Sequence, residues 1–186
     1  MILIGASLGG LKAVTTVLRQ LPRDFPVAVA VVIHRHKDSD LLLDLLQRDS
    51  PLPVCEPMDK EPIMRGRVYL APSDYHLLLD LSCFALSVDD PVRFARPSID
   101  VLFESAADAL GPSAVAVILT GANRDGAEGA ARIKSAGGRV VVQDPLTAEA
   151  PQMPNAVLAT LHPDYILAPE RMGPLLVELT APPYAA

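Results

Sequence analysis

The chain has 186 residues, half of them hydrophobic, with four Phe, four Tyr and no Trp, which suits a single domain with an aliphatic core. Its formal net charge of -6 at pH 7, with Lys and Arg spread along the chain, argues against a general nucleic-acid binder, which needs a basic face. Two cysteines, Cys55 and Cys83, are too few for a disulfide framework or a cysteine metal cluster, and no stretch is long and apolar enough to span a membrane.

The chain opens on an uncharged apolar run, Met1-Ile2-Leu3-Ile4, too short and too poor in basic residues for a signal peptide. A cytoplasmic protein with reduced thiols is expected. Leu11, Val14, Leu18 and Leu21 then recur at helical spacing. Between run and helix lies Gly5-Ala6-Ser7-Leu8-Gly9-Gly10, a strand-to-helix turn with Gly5 and Gly9 flanking Ser7 as G-x-S-x-G. Such a turn exposes a serine hydroxyl over the sheet edge. It also aims backbone N–H groups at one point, where an anion or a developing oxyanion can sit. The same turn reads equally as a phosphate cradle in which the serine only caps the helix.

Residues 22–26 form a loop, and residues 27–33 an aliphatic strand ending on His34. A polar loop through His36, Lys37, Asp38 and Ser39 follows, and Asp38 or Ser39 can cap a helix carrying Leu41, Leu42, Leu45 and Leu46. Short strands are expected at residues 54–55 and 67–71. Residues 76–80 and 83–88 read as a hairpin. An irregular segment holds Arg93 and Arg96, and Ser98 caps a helix with Ile99, Leu102, Phe103, Ala106 and Leu110 on its apolar face. Residues 114–120 are a further buried strand. Gly121-Ala122-Asn123-Arg124-Asp125-Gly126 is a second glycine-flanked loop, followed by a small-residue helix that Gly137-Gly138 stops. Strands at 140–142 and 165–167, a helix from Pro154 to about Leu161, and a last helix from Pro169 complete the chain. The alternation predicts a doubly wound, mostly parallel α/β sheet with helices on both faces and a β-hairpin insert.

Open parallel sheets bind ligands outside the carboxyl ends of their strands. Ser7, His34 and Asp125 each follow a predicted strand, so all three fall on that edge. A serine, a histidine base and an acid to orient it are the parts of a hydrolase triad. Other uses remain open for each: Ser7 as a helix cap, His34 as a strand-end residue, and Asp125 as the cap of the helix starting near Gly126. His34-Arg35-His36-Lys37-Asp38 also has an H-x-H-x-D spacing suited to zinc. However, Ser39 stands where that signature continues with histidine, leaving only His76 and His162 to complete a site. A dinucleotide fold would end its second strand on an acid, where His34 stands.

Four segments together resemble the CheB-type chemotaxis methylesterase catalytic domain: residues 4–10, the strand ending in His34, Arg96-Pro97-Ser98-Ile99-Asp100, and residues 119–127. Gln152-Met153-Pro154 is similar to the family's late Gly-Met-Pro segment. The resemblance runs over nearly the whole chain in the family's order. It implies hydrolysis of glutamyl methyl esters on the cytoplasmic helices of chemoreceptors, and in many members also deamidation of receptor glutamines. Ser7 then maps to the nucleophile, His34 to the general base and Asp125 to the orienting acid. The oxyanion donors map to the backbone N–H groups of Leu8 and Ala122. Arg96 and Met153 are substrate-contact candidates, the alternative for Arg96 being a salt bridge that pins the Pro97 turn. No metal and no other cofactor is implied.

Four departures stand out, one of them Arg35-His36 where the family often has Met-Pro after the histidine. Leu8 replaces a small residue after the serine, Ala122 replaces a methionine, and Asn123 replaces a glycine, so that loop must hold a side chain, which asparagine does in a left-handed conformation better than most residues. The resemblance predicts one catalytic domain over residues 1–186 without the receiver domain many members carry. Regulation would then fall to a separate receiver protein. A non-catalytic scaffold of the same fold, binding a receptor or signalling partner, is the alternative function.

Overall fold

The structure, a computed structural model, describes residues 1–34 and 41–181. Aliphatic runs without charge form strands that are buried on both faces, as parallel strands covered by helices must be. β1 (Ile2–Ala6), β2 (Val29–Ile33) and β7 (Val115–Ile118) are buried at every position. With β3 (Val54–Cys55), β4 (Val68–Leu70), β8 (Arg139–Gln143) and β9 (Tyr165–Leu167), they make a parallel sheet in the order β3-β4-β2-β1-β7-β8-β9. β1 lies between its two partners in matched register: Ile2 to Ala6 face Val29 to Ile33 on one side, and Ile2 to Gly5 face Val115 to Ile118 on the other.

Side chains that alternate across the strands build two cores. Ile2, Ile4, Val31 and Val117 pack with α1 (Gly10–Leu18), α2 (Leu41–Asp49) and α6 (Met172–Thr180). Leu3, Val32, Ala116 and Ile118 pack with α3 (Ile99–Leu110), α4 (Ala127–Ser135) and α5 (Gln152–Thr160). The antiparallel hairpin of β5 (His76–Asp80) and β6 (Cys83–Ser87) joins this second core through Leu77, Leu79 and Phe84. The predicted fold class is therefore the observed one.

Several boundaries shift for local reasons. The first helix ends at Leu18 rather than Leu21, because the chain tightens into three-residue turns there (Gln20 N–H to Val17 O, Leu21 N–H to Leu18 O) while Leu21 stays buried. α5 begins at Gln152, and Pro154 sits in its first turn, where a missing N–H costs no intrahelical bond. The last helix is preceded by a tight turn at Pro169–Arg171. The capping role expected of Asp38 or Ser39 lies outside the described residues. Among the described residues, no helix is long and apolar enough to cross a membrane.

Candidate active site

The site lies where the sheet changes direction. α1 leaves β1 toward β2 and packs on one face, whereas α4 leaves β7 toward β8 and packs on the other. The carboxyl ends of adjacent β1 and β7 therefore open a crevice, the usual ligand position in such sheets. Ser7 follows β1 directly and donates its N–H to Thr120 O at 2.9 Å across the crevice. His34 follows β2, held by its N–H to Ala6 O at 3.1 Å. Asp125 comes from the loop after β7.

Asp125 is 1 % exposed, and its carboxylate is fully engaged. Oδ1 accepts from the Ser98 hydroxyl at 2.8 Å and the Asp100 N–H at 3.0 Å. Oδ2 accepts from the Ile99 N–H at 2.7 Å and meets His34 Nε2 at 2.8 Å. Asp125 thus caps α3, not the helix that follows it in sequence, whose own cap is Gly126 without a side-chain bond. Gly5 makes this approach of α3 feasible: a Cβ there would stand 2.5 Å from Ile99 Cγ2. Burial alone would raise the Asp125 carboxyl, but the hydrogen bonds from His34, Ile99 and Asp100 outweigh it and hold the group below the ordinary carboxylate range. Asp100 shows the opposite balance. Burial, with the nearby Asp125 charge, pushes it up to about 6 despite the Gly129 N–H it accepts.

An ionised Asp125 fixes the imidazole tautomer. Nε2 carries the proton facing the carboxylate, and Nδ1 keeps its lone pair. That lone pair meets Asn123 Nδ2 at 2.9 Å. Asn123 Oδ1 in turn accepts the Asp125 N–H at 3.0 Å, an Asx turn. Asn123 is not in the left-handed conformation expected for it. Its side chain is accommodated by this turn instead.

The serine side is less occupied. Gly9, with φ of 76°, begins α1 without a side-chain cap, so Ser7 is not spent as the helix cap. The Thr120 hydroxyl donates to Leu8 O at 2.9 Å and accepts the Ala150 N–H at 2.8 Å, tying the serine turn to the loop after β8. At Gly121 an added Cβ would fall 1.8 Å from Met153 Sδ and 2.9 Å from Ser7 Cβ, so only glycine lets the three segments meet. Among the described residues, the N–H groups of Leu8 and Ala122 and the Ser7 hydroxyl have no hydrogen-bond partner within the chain. Ser7 and His34 together line a cavity of about 450 Å³ whose other walls include Arg93, Phe94, Arg96 and Asn123.

The remaining sequence candidates fall differently. Arg96 lines that cavity, but its guanidinium is held by Asp74 Oδ1 (3.0 and 2.6 Å), Val88 O (2.8 Å) and Asp89 O (3.1 Å), the arrangement of the alternative, pinning reading. Met153 is 1 % exposed and packs beneath Gly121, so it shapes the loop rather than facing the cavity. His76, needed by the zinc reading, is buried with Nδ1 accepting the Ser98 N–H and Nε2 facing Asp90 O. His162 is exposed, and the His36 and Asp38 of that reading lie outside the described residues. Among the described residues, no group of three or more His, Cys, Asp or Glu is placed to hold a metal ion. Sequence reading missed the donation from Ser98 to Asp125, although Ser98 was legible as a cap. It also missed Phe94, which is fully exposed on a turn where both Arg93 and Phe94 have positive φ. No glycine or asparagine marks that turn.

The model of the family described as CheB methylesterase matches residues 2–176. The chain belongs to the CheB methylesterase family. A Leptospira interrogans protein described as a putative protein-glutamate methylesterase/protein-glutamine glutaminase is 42 % identical over 180 residues, covering 96 % of this chain and 93 % of that protein. The protein-glutamate methylesterase/protein-glutamine glutaminase 2 of Anaeromyxobacter dehalogenans is also 42 % identical over 96 % of this chain, which spans only 53 % of that longer protein. The crystal structure of the Thermotoga maritima CheB methylesterase catalytic domain superposes with a TM-score of 0.92 at 34 % identity, covering 96 % of this chain and 97 % of that one. The β1–β7 crevice of this CheB methylesterase family member thus lies wholly inside the matched region.

Proposed function

We propose that the chain hydrolyses glutamyl methyl esters of proteins, with Ser7 as nucleophile, His34 as general base and Asp125 as the group that orients and balances the imidazole. One observation carries this reading: the 2.8 Å contact of His34 Nε2 with a buried, ionised carboxylate, at the crevice that also holds Ser7. Ser7 Oγ attacks the ester carbon while His34 Nδ1 takes the hydroxyl proton. The oxyanion is received by the N–H groups of Leu8 and Ala122, which have no competing acceptor among the described residues. His34 returns the proton to the departing methoxide, releasing methanol and leaving a glutamyl ester on Ser7. Water then attacks that ester, its proton passes to His34, and Ser7 is regenerated with its hydrogen as the glutamate leaves.

Family membership and the relatives' names support the protein-glutamate methylesterase assignment and extend it to amide substrates. On a glutamine the same steps would expel ammonia. The expected macromolecular substrate is the methylated cytoplasmic helical region of chemoreceptors. Methanol release from methylated receptor is the test. Ser7→Ala is expected to lower turnover by about 10³- to 10⁶-fold with an unchanged thermal midpoint. Release at the unsubstituted rate would end the proposal.

A further inference from the structure

One contact in the site opposes the reaction just described. The Asp125 carboxylate already accepts three hydrogen bonds from α3 and its cap, and the remaining approach is filled by His34 Nε2. The proton of the neutral imidazole therefore sits on Nε2, and Nδ1 offers its one in-plane lone pair. A serine hydroxyl must donate into that lone pair to be activated. Instead, Asn123 Nδ2 occupies it at 2.9 Å. The amide cannot simply turn over to present oxygen, because Oδ1 is held by the Asp125 N–H at 3.0 Å. Ser7 Oγ, meanwhile, has no hydrogen-bond partner among the described residues.

We propose that Asn123 is a positioning residue that caps the base in the resting site, so that Ser7 becomes reactive only when the Asn123 amide leaves His34 Nδ1. This rests on the roles given above to Ser7 and His34. The amide opposes proton transfer in two ways. It competes with the hydroxyl for the lone pair, and once Nδ1 is protonated two donors face each other. The amide is also placed to be moved. Asn123 is half-buried and lines both the Ser7 cavity and a second cavity of about 710 Å³ walled by Phe94, Arg124, Gln152 and Ala156. A polypeptide entering either cavity meets this amide and can offer it a carbonyl oxygen in exchange for Nδ1.

The turn and the cap are separable by substitution. Serine at position 123 keeps an oxygen for the Asp125 N–H but is too short to reach Nδ1. Alanine removes both contacts. The measurement is the rate at which a small fluorophosphonate phosphonylates Ser7, a step in which the Oγ–P bond forms, the P–F bond breaks with loss of fluoride, and the proton goes to His34. It is paired with ¹⁵N spectra of the His34 ring. Asn123→Ser and Asn123→Ala are both expected to react about tenfold faster than the unsubstituted chain, the worth of one such hydrogen bond. The Nδ1 resonance should move toward that of an unbonded imine nitrogen while Nε2 stays in place. A rate unchanged in Asn123→Ser and reduced in Asn123→Ala, with Nδ1 unmoved, would overturn the cap and leave Asn123 a loop-shaping residue. Phosphonylation that does not depend on the base, judged by His34→Gln, would instead overturn the underlying roles of Ser7 and His34.

Discussion

The two sides of the His34 ring are built in opposite ways. On the Asp125 side every acceptor is filled, the carboxylate is 1 % exposed, and the donors come from the first turn of a helix buried against the sheet. On the Ser7 side two backbone donors and a hydroxyl are uncommitted among the described residues, and Leu8 is 56 % exposed. With the roles proposed for Ser7 and His34, the difference separates structural from chemical duty. Buried polar groups that are fully satisfied hold a ring at a fixed angle. Groups meant to meet a substrate must be left without partners until it arrives, and their cost is tolerable only because water reaches them.

That contrast predicts different failures on the two sides. Ser7→Ala, with its loss of about 10³- to 10⁶-fold in turnover, is the pure chemical case and should leave the melt unchanged. Asp125→Asn is expected to cost about 10⁴-fold in methanol release, because the amide favours the wrong tautomer of His34. Asp125→Ala should in addition lower stability in a denaturant melt. It leaves the Ile99 and Asp100 N–H groups and the Ser98 hydroxyl buried without their acceptor, at about 1–3 kcal/mol for a lost group of this kind. An Asp125→Ala protein as stable as the unsubstituted chain would erase the distinction between the two sides.

Gly5→Ala tests the same contrast from the sheet. Its Cβ would meet Ile99 Cγ2 at 2.5 Å, so overpacking of about 1–3 kcal/mol is expected in the melt. Activity should fall with it, since the Ile99 N–H is one of the Asp125 donors. The smallest expected effect concerns Asp100. Its folded carboxyl is raised to about 6 from an ordinary 3.8, so the folded state binds more protons than the unfolded state between those values. Its contribution to stability is therefore greatest below about pH 4 and is lost as pH rises through 6. Asp125 acts in the reverse sense: its depressed value contributes stability above the ordinary carboxylate range that is lost as pH falls through the folded value. Asp100→Asn should accordingly gain stability relative to the unsubstituted chain on going from pH 4.5 to pH 7, by urea denaturation at both values. No change in that difference would show that Asp100 carries its charge without penalty.

Much of this arrangement is legible from sequence because its signals are short in range. Aliphatic runs without charge mark β1, β2 and β7, and the rule that parallel strands present their carboxyl ends to one edge brings Ser7, His34 and Asp125 together without coordinates. What escapes is set by contacts between distant segments. Asp125 reads locally as the cap of its own helix, yet it serves α3, 26 residues earlier at Ile99, because Gly5 lets that helix approach. Met153 reads as a substrate-contact candidate within a motif, but it is buried under Gly121, where only a glycine leaves room for its sulfur. Arg96 lines the Ser7 cavity, while its partners Asp74, Val88 and Asp89 lie on neighbouring loops with no periodicity to connect them. Asn123 is visible as a departure from the family, but its use depends on the angle of a ring fixed elsewhere.

Asp125 belongs at once to a helix terminus and to the site, and this makes assembly of the two a single event. The first turn of α3 lacks its acceptor unless the loop after β7 is closed, and the His34 ring is unoriented unless that turn is formed. In hydrogen exchange the Ile99 and Asp100 amides should open together with the Asp125 loop, as members of one cooperative unit. Partly folded chains that have lost α3 would then be inert as well as unstable, so a cell would meet no population that is half folded and still hydrolytic.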